Sequence, residues 1–380
     1  MRKILIFTDW FLPGTKSGGP VRSYANLIAH FEGEYEFKVI TRDTDYCSTE
    51  PYPGIACNHW NRWSTNTEVY YISQDQLNRE TLKKLIDETD YDVVYINGIY
   101  SWKFSVLPLL LLKNCPVRII VAARGMLNPQ AFSVKKTKKK VFLAFAKMLK
   151  LYRNVTFHAT NEDEQRYIRE ITGQGQPVIV APNLPRKVQV QTPNSRTKKA
   201  NELKLVSVAR ISKEKGTLHA LHALSKVQTG EVTLDLYGPV YDQAYWEECL
   251  SVVKGLPSRV KVNYKGSIDG EKVPDVLQDY HFFIMPSEGE NFGHAILEAL
   301  SCGCPVIISD MTPWKGLIDK NLGWDIPLND PDGFVRAIET AAKMEQAVYQ
   351  EWSSAASEYA RIFCENPEVI AENRRLFDLS

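Results

Sequence analysis

Short apolar runs of three to five residues recur along the chain, separated by stretches in which apolar positions return at helical spacing. In the first half the runs are Ile4 to Phe7, Phe37 to Ile40, Val93 to Ile96, Ile119 to Ala122, Val155 to His158 and Val178 to Val180. Continuous apolar runs of this length predict strands buried on both faces, and the intervening helical patterns make the sheet parallel and doubly wound. From Arg186 to Glu202 the chain turns polar, rich in Lys, Gln, Thr and Asn, and reads as a surface linker. The rhythm restarts with Leu205 to Val208, Thr233 to Tyr237, Val260 to Tyr264, Phe282 to Met285 and Val306 to Ile308. The pattern therefore predicts an α/β protein of two Rossmann-like parallel-sheet domains. Expected boundaries are 1–185, a linker at 186–202, a second domain at 203–351, and a helical segment at 352–380. At 380 residues the chain suits two cores better than one.

Composition removes several classes. With 46 basic and 45 acidic side chains there is no global field to attract nucleic acid. The N-terminus enters a strand at once, without the apolar core and cleavage site of a signal peptide, so the chain is expected to be cytoplasmic and to start at Met1. Val106 to Leu112 is apolar, but Lys113, Asn114 and Pro116 interrupt it well short of a membrane span. Seven cysteines without paired CxxC spacing are expected to be reduced thiols. The seven histidines include no HExxH, and no metal site is expected. Asp43-Thr44-Asp45 has the spacing of a metal-binding DxD but comes early, away from the other candidates.

Chemistry concentrates just beyond strand ends, where open parallel sheets bind ligands. After the strand ending at Met285, Pro-Ser-Glu-Gly breaks the run, and helical periodicity resumes at Ala295, Ile296, Ala299 and Leu300. Glu290 falls at this junction and Glu298 eight residues on. On one continuous helix they would be separated by roughly 12 Å along the axis. Free N–H groups near Asn291 and Gly293 would form an anion site between the two carboxylates. Val208-Ala209-Arg210-Ile211-Ser212-Lys213-Glu214-Lys215-Gly216 places Arg210 and Lys215 at another strand end. Fixed cations there act on charge that develops as a diphosphate leaves. Gly18-Gly19 after the first strand permits close backbone approach of a phosphate or sugar, though it is neither GxGxxG nor a Walker A motif. Asn97-Gly98-Ile99-Tyr100-Ser101-Trp102 and Ala123-Arg124-Gly125 lie past two further strands.

The Glu-x7-Glu pattern, followed by the small-residue turn at Ser301 to Pro305 and by Thr312-Pro313-Trp314, resembles retaining GT-B glycosyltransferases of family 4, in a variant associated with bacterial surface polysaccharide synthesis. The resemblance implies two domains facing each other across a cleft, with the terminal helical segment returning to the first. It implies a transferase that needs no metal or other cofactor and moves a hexose or N-acetylhexosamine from a nucleoside diphosphate sugar, with UDP favoured. The acceptor would be a glycan or a polyprenyl-diphosphate-linked glycan. Arg210 and Lys215 would bind the diphosphate, Glu290 the sugar hydroxyls and Glu298 the ribose, with Asn291, Phe292, Gly293, Gly18 and Gly19 around the donor. Arg124 stands where many members carry His, and Asn97 lies in an expected acceptor loop. A sugar-nucleotide epimerase or hydrolase on the same fold, or a protein that binds a sugar nucleotide without turnover, are the alternatives. Finally, Lys135, Lys136, Lys138, Lys139 and Lys140 precede an apolar helical stretch, a basic amphipathic element suited to peripheral contact with an anionic membrane, here its inner face.

Overall fold

In the computed structural model, which describes residues 1–128, 136–187 and 196–378, the two series of strands form two separate sheets. The chain divides into one unit of residues 1–187 with 366–380 and a second of residues 188–365. The first contains β1 (Arg2–Phe7), β2 (Tyr35–Arg42), β3 (Trp60–Ser64), β4 (Thr67–Ile72), β5 (Val93–Asn97), β6 (Arg118–Ala122), β7 (Val155–Ala159) and β8 (Val178–Val180), ordered β3-β4-β2-β1-β5-β6-β7-β8. Its helices are α1 (Gly19–Phe31), α2 (Arg79–Glu88), α3 (Leu107–Leu111), α4 (Lys136–Met148) and α5 (Glu162–Thr172). Chain order reverses between β1 and β5, so the loops after Phe7 and Asn97 splay apart and leave a crevice at that switch point.

The hairpin β3–β4 is absent from the sequence expectation. It is the antiparallel edge of an otherwise parallel sheet. No position of β3 is buried, so it has no apolar alternation to read. Its partner β4 buries Val69, Tyr71 and Ile72, but also Thr67, and leaves Glu68 and Tyr70 half-buried between buried positions.

The second unit contains β9 (Glu202–Val208), β10 (Glu231–Tyr237), β11 (Val260–Gly266), β12 (Phe282–Met285), β13 (Val306–Ser309) and β14 (Gly323–Ile326), ordered β11-β10-β9-β12-β13-β14 and parallel throughout. Its helices are α6 (Thr217–Ser225), α7 (Gln243–Lys254), α8 (Val273–Leu277), α9 (His294–Ser301), α10 (Pro331–Lys343) and α11 (Gln346–Cys364). The switch point lies between β9 and β12. A last helix, α12 (Pro367–Phe377), belongs to the first unit. The expected segment at 352–380 is thus divided. Trp352 packs in the second unit's core, and the chain changes unit at Asn366, whose side chain accepts from the Glu368 N–H at 2.9 Å. Phe377 sits among Phe31, Tyr35, Phe37 and Tyr95 with ring centroids 5.3–6.3 Å apart.

The described part of the expected linker, residues 186–187 and 196–202, is exposed at most positions but buries two cations. Arg196 is 7% exposed and Lys198 2%. The Arg196 guanidinium donates to the carbonyls of Leu277 and Gln278 at the end of α8 and of Cys302 and Gly303 after α9. Lys198 Nζ donates to Ala342 and Met344 around the end of α10, at 2.9 Å each. Helix C-termini leave carbonyls unpaired and carry negative dipole ends, so these cations are held without a carboxylate. Burial lowers the Lys198 ammonium to about 8.

Candidate active site

The loop after β12 and the loop after β9 are built into one another. Gly216 has φ +72°, and a Cβ there would lie 1.8 Å from the Pro286 carbonyl oxygen, so only glycine lets the two loops approach this closely. Ser287 Oγ donates to the Glu214 carbonyl at 2.8 Å, and the Glu288 N–H donates to the same oxygen at 2.8 Å. Lys215 Nζ reaches Glu290 Oε1 at 2.5 Å, and Ser287 Oγ lies 2.8 Å from that oxygen. The Lys215 and Glu290 side chains are 22% and 11% exposed, so the pair is partly shielded yet still open to a ligand. The Glu290 N–H donates to Met311 O at 3.0 Å, tying the loop to the segment after β13. Burial would raise the Glu214 carboxyl, but its hydrogen bonds and the charges of Arg210 and Lys215 hold it below the ordinary value. Arg210 follows β9 beside the close approach of Gly238 to Ala209, where a Cβ on Gly238 would stand 1.9 Å from the Ala209 carbonyl oxygen.

The signature helix starts later than the sequence suggests. Gly293 takes the left-handed conformation as its N-cap, and α9 runs only from His294 to Ser301. Glu290 to Gly293 is therefore non-helical, and the estimate of two turns along one axis between Glu290 and Glu298 does not hold. The reason is packing. Trp314 Nε1 donates to Phe292 O at 2.6 Å, and the Phe292 ring lies near His294, Trp314 and Phe363. Phe292 is 8% exposed and serves as an anchor under the loop. Asn291 lies between this anchor and Glu290. Glu298, 9% exposed, sits in the second turn of α9. Cys302 and Cys304 flank Gly303 and are buried, which pushes both thiols up to about 12.

In the first unit, Gly18 (φ +77°) caps α1, and Pro20 lies in its first turn after Gly19. Asn97 ends β5, with Nδ2 on Thr8 Oγ1 at 3.3 Å and a buried Oδ1 that has no hydrogen-bond partner. Arg124, at φ +52°, donates to Asn183 Oδ1 and to Tyr95 Oη at 2.9 Å, and its guanidinium stacks 4.9 Å from the Tyr24 ring centroid. Behind it, Glu164 is fully buried. It accepts from the Gly125 N–H at 2.5 Å and from the Thr160 N–H and Oγ1 at 2.7 Å each. His158 Nδ1 lies 2.6 Å from Tyr95 Oη and Nε2 2.7 Å from Ala181 O. Burial, and next the Arg124 charge, push this imidazole down to about 3. Tyr95, His158 and Glu164 escaped the sequence reading, although Asn161-x-x-Glu164 is a recognisable helix-start signal. Ser287 was legible only as part of a strand break.

Asp45 of the early DxD accepts from the N–H groups of Thr15 and Lys16 at 3.0 and 3.2 Å, clipping the glycine-containing loop, while Asp43 is 4% exposed. Of the lysine cluster, Lys135 and the Lys136 side chain lie outside the described residues. Lys138 and Lys140 are exposed, and Lys139 stands 5.4 Å from the Tyr100 ring centroid. Among the described residues no helix is long and apolar enough to cross a membrane.

Residues 189–361 match the family described as glycosyl transferases group 1. An Escherichia coli UDP-Gal:alpha-D-GlcNAc-diphosphoundecaprenol alpha-1,3-galactosyltransferase is 24% identical over 295 residues, covering 70% of each chain. Among solved structures, sucrose-phosphate synthase from Thermosynechococcus elongatus superposes with a TM-score of 0.77 at 18% identity, over 99% of this chain and 98% of that one. Anabaena HepE in complex with UDP and glucose gives 0.70 at 17% identity, over 99% and 98%. The match falls on the unit that holds Arg210, Lys215 and Glu290: the chain is a glycosyltransferase, with a group 1 glycosyltransferase domain and the GT-B type of fold.

Proposed function

We propose that this enzyme is a retaining, metal-independent transferase of family 4. It moves a hexose or N-acetylhexosamine from a UDP-sugar to a glycan or polyprenyl-diphosphate-linked glycan during synthesis of bacterial surface polysaccharide. The carrying observation is the Lys215–Glu290 pair, 2.5 Å apart at the switch point of the second sheet. The name of the E. coli galactosyltransferase relative, with its UDP-Gal donor and diphosphoundecaprenol-linked acceptor, supports both donor and acceptor class. HepE, solved with UDP and glucose, supports the nucleotide.

In this reading the bond from the anomeric carbon to the diphosphate oxygen breaks while Arg210 and Lys215 offset the charge that builds on the leaving group. The acceptor oxygen bonds to the anomeric carbon from the same face, and its proton passes to the departing phosphate. Glu290 holds sugar hydroxyls and orients Lys215, and Glu298 binds the ribose. Asn97, with its unpartnered Oδ1, contacts the acceptor. The reaction is assigned to the cytoplasmic face of the membrane, where the lysine-rich start of α4 would meet anionic lipid.

The test is thermal-shift binding across UDP, GDP, ADP and their sugars, with and without EDTA, since a ligand that binds only the folded state stabilises it more the tighter it binds. Selective stabilisation by UDP that is indifferent to EDTA is expected. Selectivity for another base overturns the nucleotide assignment, and dependence on divalent metal returns Asp43 and Asp45 to consideration. Product anomeric configuration by NMR decides retention.

A further inference from the structure

Helix α4 buries only one side. Ala146 is 2% exposed, and Phe142 packs against Tyr100 with centroids 5.2 Å apart. On another side Val141, Phe145 and Met148, spaced i, i+4 and i+7, are 65%, 41% and 70% exposed. An apolar stripe of one helix left open to solvent marks an interaction surface.

Next to it lie two cavities of about 360 Å³ each, which share Lys150 and Arg153 in their walls. One runs along α4 past Leu143, Ala144 and Ile171. The other reaches the N-terminal ends of β6 and β7, the end of the sheet away from Asn97 and Arg124. Lys113, Lys140 and Lys147 complete the cationic wall. Among the described residues no carboxylate pairs with Lys113, Lys140, Lys147, Lys150 or Arg153. Unpaired cations around apolar walls, beside an exposed apolar stripe, complement a molecule with an anionic head and a hydrocarbon body. A nucleic acid would leave the stripe unused.

We propose that α4 and the adjoining cavities bind an anionic phospholipid of a bilayer surface. Val141, Phe145 and Met148 enter the boundary of the acyl chains, and the phosphate seats between Lys150 and Arg153. The inference rests on the membrane contact proposed above and moves its centre from the lysines at the start of α4 to the helix's C-terminal half.

The experiment is flotation of the full chain with vesicles of phosphatidylcholine alone or mixed with phosphatidylglycerol, with UDP-induced thermal stabilisation read in parallel. The chain is expected to float only with the anionic vesicles. Lys150→Gln/Arg153→Gln should lower partitioning about twenty-fold, since each basic residue near an anionic surface contributes severalfold. Val141→Asp/Met148→Asp, at positions too exposed to endanger folding, should lower it comparably, and UDP stabilisation should be unchanged in both. No flotation of the wild-type chain, equal partitioning into neutral vesicles, or wild-type partitioning by both double variants overturns the site. A fall confined to Lys136→Gln/Lys138→Gln also overturns it, because diffuse charge at the helix start would then suffice. Flotation without any UDP stabilisation would sink the donor reading and leave this one standing.

Discussion

Each sheet presents an arginine just past a strand end, and the two are treated in opposite ways. Arg124 in the first unit is tied to Tyr95 and Asn183, stacked on Tyr24, and backed by the buried Glu164. Arg210 in the second unit lies near the Glu214 carboxyl, and Lys215 holds the Glu290 carboxylate, itself a candidate for sugar hydroxyls. The first arrangement ties its guanidinium to named partners, whereas the second sets two cations beside carboxylates in the proposed donor site. Position at a strand end is therefore not enough to assign a role. What decides is whether the surrounding groups already satisfy the charge.

The largest expected effect separates the two arginines directly. Arg210→Ala should lower kcat by about 10³-fold, in the range found for losing a donor that stabilises charge in the transition state, with the thermal midpoint nearly unchanged. A substantial loss of stability instead would make Arg210 structural, like Arg124. Conversely, Glu164→Ala should cost about 3 kcal/mol in denaturant unfolding, because it strips the buried Gly125 and Thr160 N–H groups of their acceptor. Unaltered stability there would dissolve the contrast. Gly216→Ala should cost about 2 kcal/mol and disturb donor binding as well, since both its φ and the Pro286 carbonyl oppose a side chain.

A pH titration sharpens the comparison further. His158 in the first unit and His281 in the second are lowered to about 3 and about 4, chiefly by burial. Both are neutral when folded and take up a proton on unfolding below their ordinary value near 6.5. Stability present above pH 6.5 is thus lost as pH falls toward these depressed values, by about 1.4 kcal/mol per pH unit for each group. His158→Phe should flatten that slope by one proton. A slope unchanged by the substitution would mean the imidazole is already protonated in the fold. Smallest, Ser287→Ala should raise the donor KM a few-fold, with about 1 kcal/mol at stake in the hydrogen bond to Glu290, and leave the thermal midpoint nearly unmoved.

Most of the parallel strands were legible as apolar runs, because a strand buried on both faces admits few polar residues. β3 was not, since it lies at an edge with no buried position, and β14 was not, since Gly323 and Asp325 interrupt its short run. Lys215 and Glu290 could be named from their place after strands, but their contact could not, because 75 residues separate them in the chain. The start of α9 was misjudged for a related reason. The Trp314 indole that anchors Phe292 lies 22 residues further on, beyond any local signal.

By itself, the alternation of apolar runs and helical periods determined two parallel sheets, and the order of turns placed the chemistry at their strand ends, since strand length and helix period are local properties of the backbone. Only the tertiary structure decided which groups hold Arg124, that Lys215 meets Glu290, where α9 begins, and that Arg196 and Lys198 are buried against helix ends. Those outcomes depend on carbonyls, rings and carboxylates brought together from distant segments, and a charged side chain's role follows from what desolvates and pairs it.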